Sequence, residues 1–234
     1  SAIPAIAEVA QQVDRNILDV RDPPADLPCG TGKKRIGKRL LTVGTDCCVG
    51  KMYSALAIDA ELRKRGVNTS FRPTGQTGIL IEGSGVSVDA VISDFLSGTV
   101  EALSPDNAPD HWDIIEGQGS LFHPAYAAVS LGLLHGAQAD ALVMCHELGR
   151  DLVDGDYPDY PLPDLAEAIE TNLIMARLTN KNAKLVGISV NSSHFSEEEA
   201  TKIMAEIEGE HNVPVVDPVR TGVTRLVDFL EKST

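Results

Sequence analysis

The chain has 234 residues, 43% of them hydrophobic and only 4% aromatic, which suits one large domain with an aliphatic core. Its formal charge of −14 argues against nucleic acid as a partner, because that binding rests on Lys and Arg neutralising phosphates. Four cysteines form no C-x-x-C pair, and no apolar run reaches the roughly 20 residues of a membrane span. A soluble, cytoplasmic protein is expected, with no metal site and no membrane partner.

Residues 1–37 stand apart. Ala5–Val13 reads as a short amphipathic helix, ILDVRDPP (Ile17–Pro24) as a strand-like piece stopped by prolines, and CGTGKKRIGKR (Cys29–Arg39) as glycine-rich and basic. These residues hold too few apolar side chains to close a core, so they are read as an N-terminal extension, the remnant of a preceding domain. Residues 38–234 are read as the main domain. RLLTVG (Arg39–Gly44) is a buried strand, and a helix from Lys51 to Arg65 follows it, stopped by Gly66. NTSFRP (Asn68–Pro73) is the second strand. TGQTGILIEGSG (Thr74–Gly85) is a glycine-rich loop before a helix over Ser87–Leu103. WDIIEGQGS (Trp112–Ser120) is a strand running into a glycine loop, AYAAVSLGLLHG (Ala125–Gly136) a helix, and DALVMCHE (Asp140–Glu147) a strand. The polar, proline-rich GRDLVDGDYPDYPLP (Gly149–Pro163) is a loop or lid. Then come a helix (Pro163–Leu178), a strand (Ala183–Asn191), a helix (Ser196–Glu208), a strand (Val213–Asp217) and a helix (Gly222–Glu231). Such alternation implies an α/β fold of three layers, a mostly parallel sheet with helices on both faces. Ligands then collect at the carboxyl ends of the strands.

One of those ends carries VGTDCCVGKM, Val43–Met52. It approximates the phosphate-cradling pattern G-x-x-x-x-G-K-[ST], in which backbone N–H groups and a helix N-terminus face phosphate oxygens. Gly44, Thr45, Asp46, Cys47, Cys48, Val49, Gly50, Lys51 and Met52 are therefore the candidate cofactor grip. Met52 stands where such loops carry the hydroxyl that holds magnesium, and a thioether is a poor ligand for that hard cation. Phosphate binding is expected from this loop; phosphoryl transfer lacks one of its standard parts.

GTDCCVGK resembles the GTDTxVGKT loop of dethiobiotin synthetase and its P-loop relatives. FRPTGQTG (Phe71–Gly78) is similar to that enzyme's K-P-V-x-x-G segment, with Arg72 in place of a lysine. IIEGQGS (Ile114–Ser120) is similar to its V-E-G-A-G-G, whose glutamate helps hold magnesium. VGISVN (Val186–Asn191) resembles the strand ending in an adenine-contacting asparagine, here Asn191. Taken whole, VGTDCCVGK, PTGQTGILIEGSGVSVDAVISDF, EGQGSLFHPAY, LGLLHG and CHELGR resemble the DUF1611 family, which includes D-glutamate N-acetyltransferases. The resemblance implies a P-loop fold and acetyl transfer from acetyl-CoA to the amino group of a D-amino acid, D-glutamate above all. CoA and the amino acid would be the small-molecule partners, and a homo-oligomer is expected. ATP with Mg²⁺, held around Glu116 and Asp46, stays open as the alternative.

Acetyl transfer to an amine needs a base to take the ammonium proton, and Glu116, His123 and His146 are the candidates. His111, His194 and His211 sit among polar turn residues and are expected at the surface. Arg72 and Arg150, with Arg220 behind them, are candidates to hold substrate carboxylates, for which a planar guanidinium is suited. Thr74, Gly75, Gln76 and Thr77 are expected to wall the substrate site. Cys47 and Cys48 at a helix N-terminus would be nucleophiles only if that position acidified them.

Overall fold

The computed structural model describes residues 3–17 and 19–233. In chain order the elements are α1 (Pro4–Gln12), β1 (Lys38–Gly44), α2 (Lys51–Lys64), β2 (Thr69–Arg72), α3 (Gln76–Glu82), α4 (Ser93–Leu103) and β3 (Trp112–Ile115). They continue with α5 (Ala127–Ala137), β4 (Ala141–Glu147), α6 (Leu165–Arg177), β5 (Lys184–Asn191), α7 (Glu197–His211), β6 (Val215–Val216) and α8 (Thr224–Ser233).

The six strands form one sheet in the order β2-β3-β1-β4-β5-β6, and each paired neighbour is parallel. A parallel sheet needs cover on both faces. On one face α2 and α8 pack Ala55, Ile58, Leu62, Leu226 and Leu230 onto Leu40, Ile114 and Val143. On the other, α4, α5, α6 and α7 pack Val100, Leu133, Ile169 and Met204 onto Leu41, Leu142 and Ile188. Each such fully buried aliphatic contributes roughly 1.5–3 kcal/mol, and none of them is aromatic. The chain leaves β1 for β2 and β3 on one side, then crosses back to β4 on the other. The loop after β1 therefore lies at the point where strand order reverses, the place where α/β sheets open a ligand crevice.

Three expectations change. The stretch read as a glycine loop over Thr74–Gly85 contains the seven-residue helix α3, and the helix expected from Ser87 begins only at Ser93, after a 3₁₀ turn over Val88–Ala90. No strand occurs among the described residues of Ile17–Pro24, where Leu18 lies outside them.

The segment before β1 is docked by polar contacts. Thr31, through its amide and hydroxyl, and the Gly32 amide each donate to the Glu101 carboxylate at 2.8 Å. Arg35 donates to the carbonyls of Glu101, Ser104 and Ala137 at the ends of α4 and α5, where cations offset the helix dipoles. Arg39, fully buried, donates to the carbonyls of Arg35, Ile36, Gly37 and Pro105 and to the Ser104 hydroxyl. Helix α1 itself buries no residue.

Candidate active site

The phosphate loop runs from Gly44, at the end of β1, into α2. Gly50 caps α2 with φ +98°, a left-handed conformation that glycine adopts without strain. Cys48 is also left-handed, at φ +57°. The stem of Lys51 lies against Gly117, where an added Cβ would come within 3.2 Å of the lysine and 1.7 Å of the Thr42 carbonyl. Lys51 is buried, and its Nζ donates to the Asp46 carbonyl oxygen at 2.6 Å. Burial pulls its pKa below the ordinary lysine value. A buried ammonium with one protein acceptor is a ready partner for an anion. Met52, half-buried, packs against the apolar cluster of α2 and α8.

Glu116, just past the end of β3, is 3% exposed and sits under the start of α3. Its Oε2 accepts from the Thr74 and Gly75 amides at 2.9 and 3.1 Å, and its Oε1 from Gln118 at 3.2 Å. Gly78 makes room for it, since a Cβ there would stand 2.4 Å from Oε2. Burial raises the carboxyl's pKa despite those donors and the nearby Lys51. Thr74 and Gly75 are thus partners of Glu116, while Gln76 and Thr77 remain exposed on the first turn of α3.

His123 is 1% exposed. Its Nδ1 accepts from the Ala125 amide at 3.1 Å, so Nε2 carries the proton and donates to the Asp154 carbonyl at 3.0 Å. Tyr126 stacks on the ring at 4.5 Å and Tyr157 meets it edge-on at 5.1 Å. With both nitrogens engaged, His123 is not presented as a base. His146 differs: its Nδ1 pairs with the Thr45 hydroxyl at 3.0 Å, and burial lowers its pKa, favouring the neutral ring. Of the other histidines, His111 is only 5% exposed, against the surface position expected of it.

The arginines are more committed than the sequence suggested. Arg72 Nε donates to the buried Asp113 at 2.7 Å. Arg150 donates to Asp46 at 3.0 Å, to the Cys47 carbonyl at 2.9 Å and to Glu147. Both guanidiniums are ion-paired within the protein, Arg150 through both Nη atoms and Arg72 through Nε alone. Asp46 in turn accepts the Asp154 amide at 2.6 Å, which ties the β4–α6 segment to the phosphate loop, and its Oδ1 is buried without a partner.

Asp46, Cys47 and His123 bring an oxygen, a sulfur and a nitrogen within 4.8 Å of one another, a grouping that could hold a metal and that no sequence spacing signalled. His123's two hydrogen bonds occupy its nitrogens, so the set is not presented to an ion in this arrangement. Burial pushes the Cys47 thiol up to about 11 and raises Cys48 as well, so neither is the acidified nucleophile considered above.

Beside the loop a cavity of about 440 Å³ opens toward β5 and β6. Its apolar wall comes from Val49, Tyr53, Pro218 and Val219, with Asn191 and Ser189 at the polar end. Asn191 Oδ1 accepts the Ser193 amide at 3.1 Å, leaving its NH₂ to donate, and Ser189 pairs with Ser54 at 2.8 Å. Tyr53 and Val219, half or more exposed, stand at the mouth. Sequence reading named Asn191 but not Tyr53 or Val219; a tyrosine two residues past the loop lysine was the available signal.

A family model described as the P-loop domain of DUF1611, a domain of unknown function, matches residues 28–227. The chain is 54% identical over 227 residues to a D-glutamate N-acetyltransferase of Tritonibacter scottomollicae, covering 97% of this chain and 68% of that one. It is 50% identical over 222 residues to a D-glutamate N-acetyltransferase of a Pseudoalteromonas species, covering 95% and 67%. A crystal structure of a DUF1611 family protein from Anabaena variabilis superposes with a TM-score of 0.86 at 36% identity, over 94% of this chain and 65% of that one. The chain thus spans about two thirds of the length of these relatives. No helix among the described residues is long and apolar enough to cross a membrane.

Proposed function

The chain belongs to the DUF1611 family, and from that premise we propose that it is an N-acetyltransferase that moves an acetyl group from acetyl-CoA to the amino group of D-glutamate. One observation carries the cofactor half of this reading. The phosphate loop keeps its buried lysine, replaces the magnesium hydroxyl by the half-buried Met52, and opens onto a cavity of about 440 Å³. That combination suits a phosphorylated cofactor that is held and not cleaved. Lys51 and the loop amides would take the diphosphate, and Asn191, Tyr53 and Val219 the adenine. The ATP–Mg²⁺ alternative is less well served. Glu116 accepts from the two amides ahead of α3 and from Gln118, and one oxygen of Asp46 is held by Arg150 and the Asp154 amide.

Bound acetyl-CoA supplies a thioester whose acyl carbon is open to attack by a free amine. The protein's part is to free that amine and fix its place. We assign the base to His146. In this reading Nδ1–H donates to Thr45 and Nε2 carries the lone pair that takes the ammonium proton. Burial lowers its pKa, which favours the unprotonated ring that a base needs. Glu116 keeps the wall formed by Thr74, Gly75, Gln76 and Thr77 in place, and Gln76 and Thr77 are the exposed residues there that face a small polar substrate. The reaction, its two small-molecule partners, a cytoplasmic setting and a homo-oligomeric assembly form one reading.

The direct test is release of free CoA thiol from acetyl-CoA on adding D-glutamate, with L-glutamate as control. His146→Gln should lower kcat by roughly 10²–10⁴-fold while leaving CoA affinity within a factor of three. A loss below threefold would remove His146 from the chemistry. Absence of thiol release with any amino acid would remove the reaction.

A further inference from the structure

Arg220 is the one Lys or Arg among the residues that line the 440 Å³ cavity. It is held in place on two sides. Nη2 donates to the Ser192 and Phe195 carbonyls at 3.0 and 2.6 Å, which fastens the β6–α8 segment to the turn after β5. The nearest carboxylate, Asp217, does not neutralise it in fork geometry: Nε lies 4.0 Å from Asp217 Oδ2. Asp217 is already saturated, with Oδ1 accepting the Val219 and Arg220 amides and Oδ2 the Ser192 amide and hydroxyl. A carboxylate has about four acceptor positions, and all are filled. Arg220 Nη1 has no partner among the described residues, and the side chain is 29% exposed. In a chain of formal charge −14, the result is a positioned cation with free donors at the rim of a cavity whose other charged lining residue is the saturated Asp217, one loop away from the phosphate grip.

We propose that Arg220 is a specificity residue that binds the ribose 3′-phosphate of CoA, the group that distinguishes CoA from adenosine di- and triphosphate. The proposal rests on the acetyl-CoA reading above. Guanidinium pairs with phosphate through parallel N–H donors, and a pre-positioned one loses little freedom in doing so. The loop around Lys51 accepts any diphosphate; Arg220 adds the element that separates a CoA from an ATP. The competing role, a staple between two loops, predicts no discrimination between ligands.

The test is calorimetry with CoA and with dephospho-CoA, which lacks only the 3′-phosphate. The native chain should bind CoA at least tenfold more tightly. Arg220→Met keeps the aliphatic stem, and should bring the two affinities within twofold of each other by weakening CoA alone. Arg220→Lys, which keeps the charge, should retain part of the preference. Equal binding of the two ligands by the native chain would overturn the proposal without using any variant. A preference that survives in Arg220→Met would overturn it as well. Failure of both ligands to bind the native chain is a separate result: it removes the acetyl-CoA reading and this proposal with it.

Discussion

Arg35 and Arg39, in the segment ahead of β1, and Lys51, in the phosphate loop, are all buried cations in a strongly acidic chain. The difference lies in what surrounds them. Each nitrogen of Arg39 donates to a carbonyl or hydroxyl of the protein, and Asp113 and Asp140 add favourable charge. Arg35 bonds the carbonyl ends of two helices, with its Nε left over and its pKa pulled down by burial to about 10. Lys51 has one carbonyl and a cavity beside its loop. A buried cation bonded to several carbonyls is a structural fastening, even with one nitrogen left over. A buried cation with a single protein acceptor beside a cavity is open to an anion, and the protein bears its desolvation in the meantime.

The comparison breaks most visibly at Arg39. Arg39→Met would leave six backbone and hydroxyl acceptors without their partner, and should cost about 3–5 kcal/mol in urea denaturation. A cost below about 1 kcal/mol would mean that the segment ahead of β1 is held by something else. Next in size is the seat of Glu116. Gly78→Ala sets a methyl 2.4 Å from the carboxylate and should cost about 1–3 kcal/mol while lowering acetyl transfer. An unchanged protein would show that α3 can shift freely.

The smallest effect is electrostatic. Burial lowers the Lys51 pKa in the folded chain, so the folded state binds that proton less tightly than the unfolded state. The destabilisation is complete below the lowered pKa and is relieved as pH rises through it, so stability should increase across that window. Phosphate beside the ammonium restores the pKa. Cofactor binding should therefore take up a proton in the same window, and affinity should fall as pH climbs. Calorimetry in two buffers of different ionisation enthalpy reads that uptake, which Lys51→Met should abolish.

How much of this was legible beforehand depends on distance along the chain. The strands and most helices follow from apolar periodicity and caps that are local, such as the Ser196–Glu199 capping box ahead of α7. The loop and Lys51 were legible because all the parts of the motif are contiguous. Helix α3 was not, since Gly75 and Gly78 weaken its first turn and its N-terminal acceptor, Glu116, comes about 40 residues later. Arg72 and Arg150 looked available for substrate because their partners, Asp113 and Asp46, are 41 and 104 positions away. The grouping of Asp46 with His123, and the cavity shared by Tyr53 and Val219, are likewise products of topology. Local pattern showed where ligands gather; only the fold showed which side chains are free to meet them.

The central claim is that the phosphate loop holds a CoA by its underused lysine. The measurement that tests it is paired: acetyl-CoA and ATP–Mg²⁺ titrated by calorimetry into the native chain and Lys51→Met, with urea denaturation of both. Loss of a charge-assisted contact worth about 1.5–3 kcal/mol should weaken acetyl-CoA binding roughly 10- to 150-fold in Lys51→Met, with stability unchanged or raised. Tight ATP–Mg²⁺ binding without acetyl-CoA binding, or an acetyl-CoA affinity indifferent to Lys51, would contradict it.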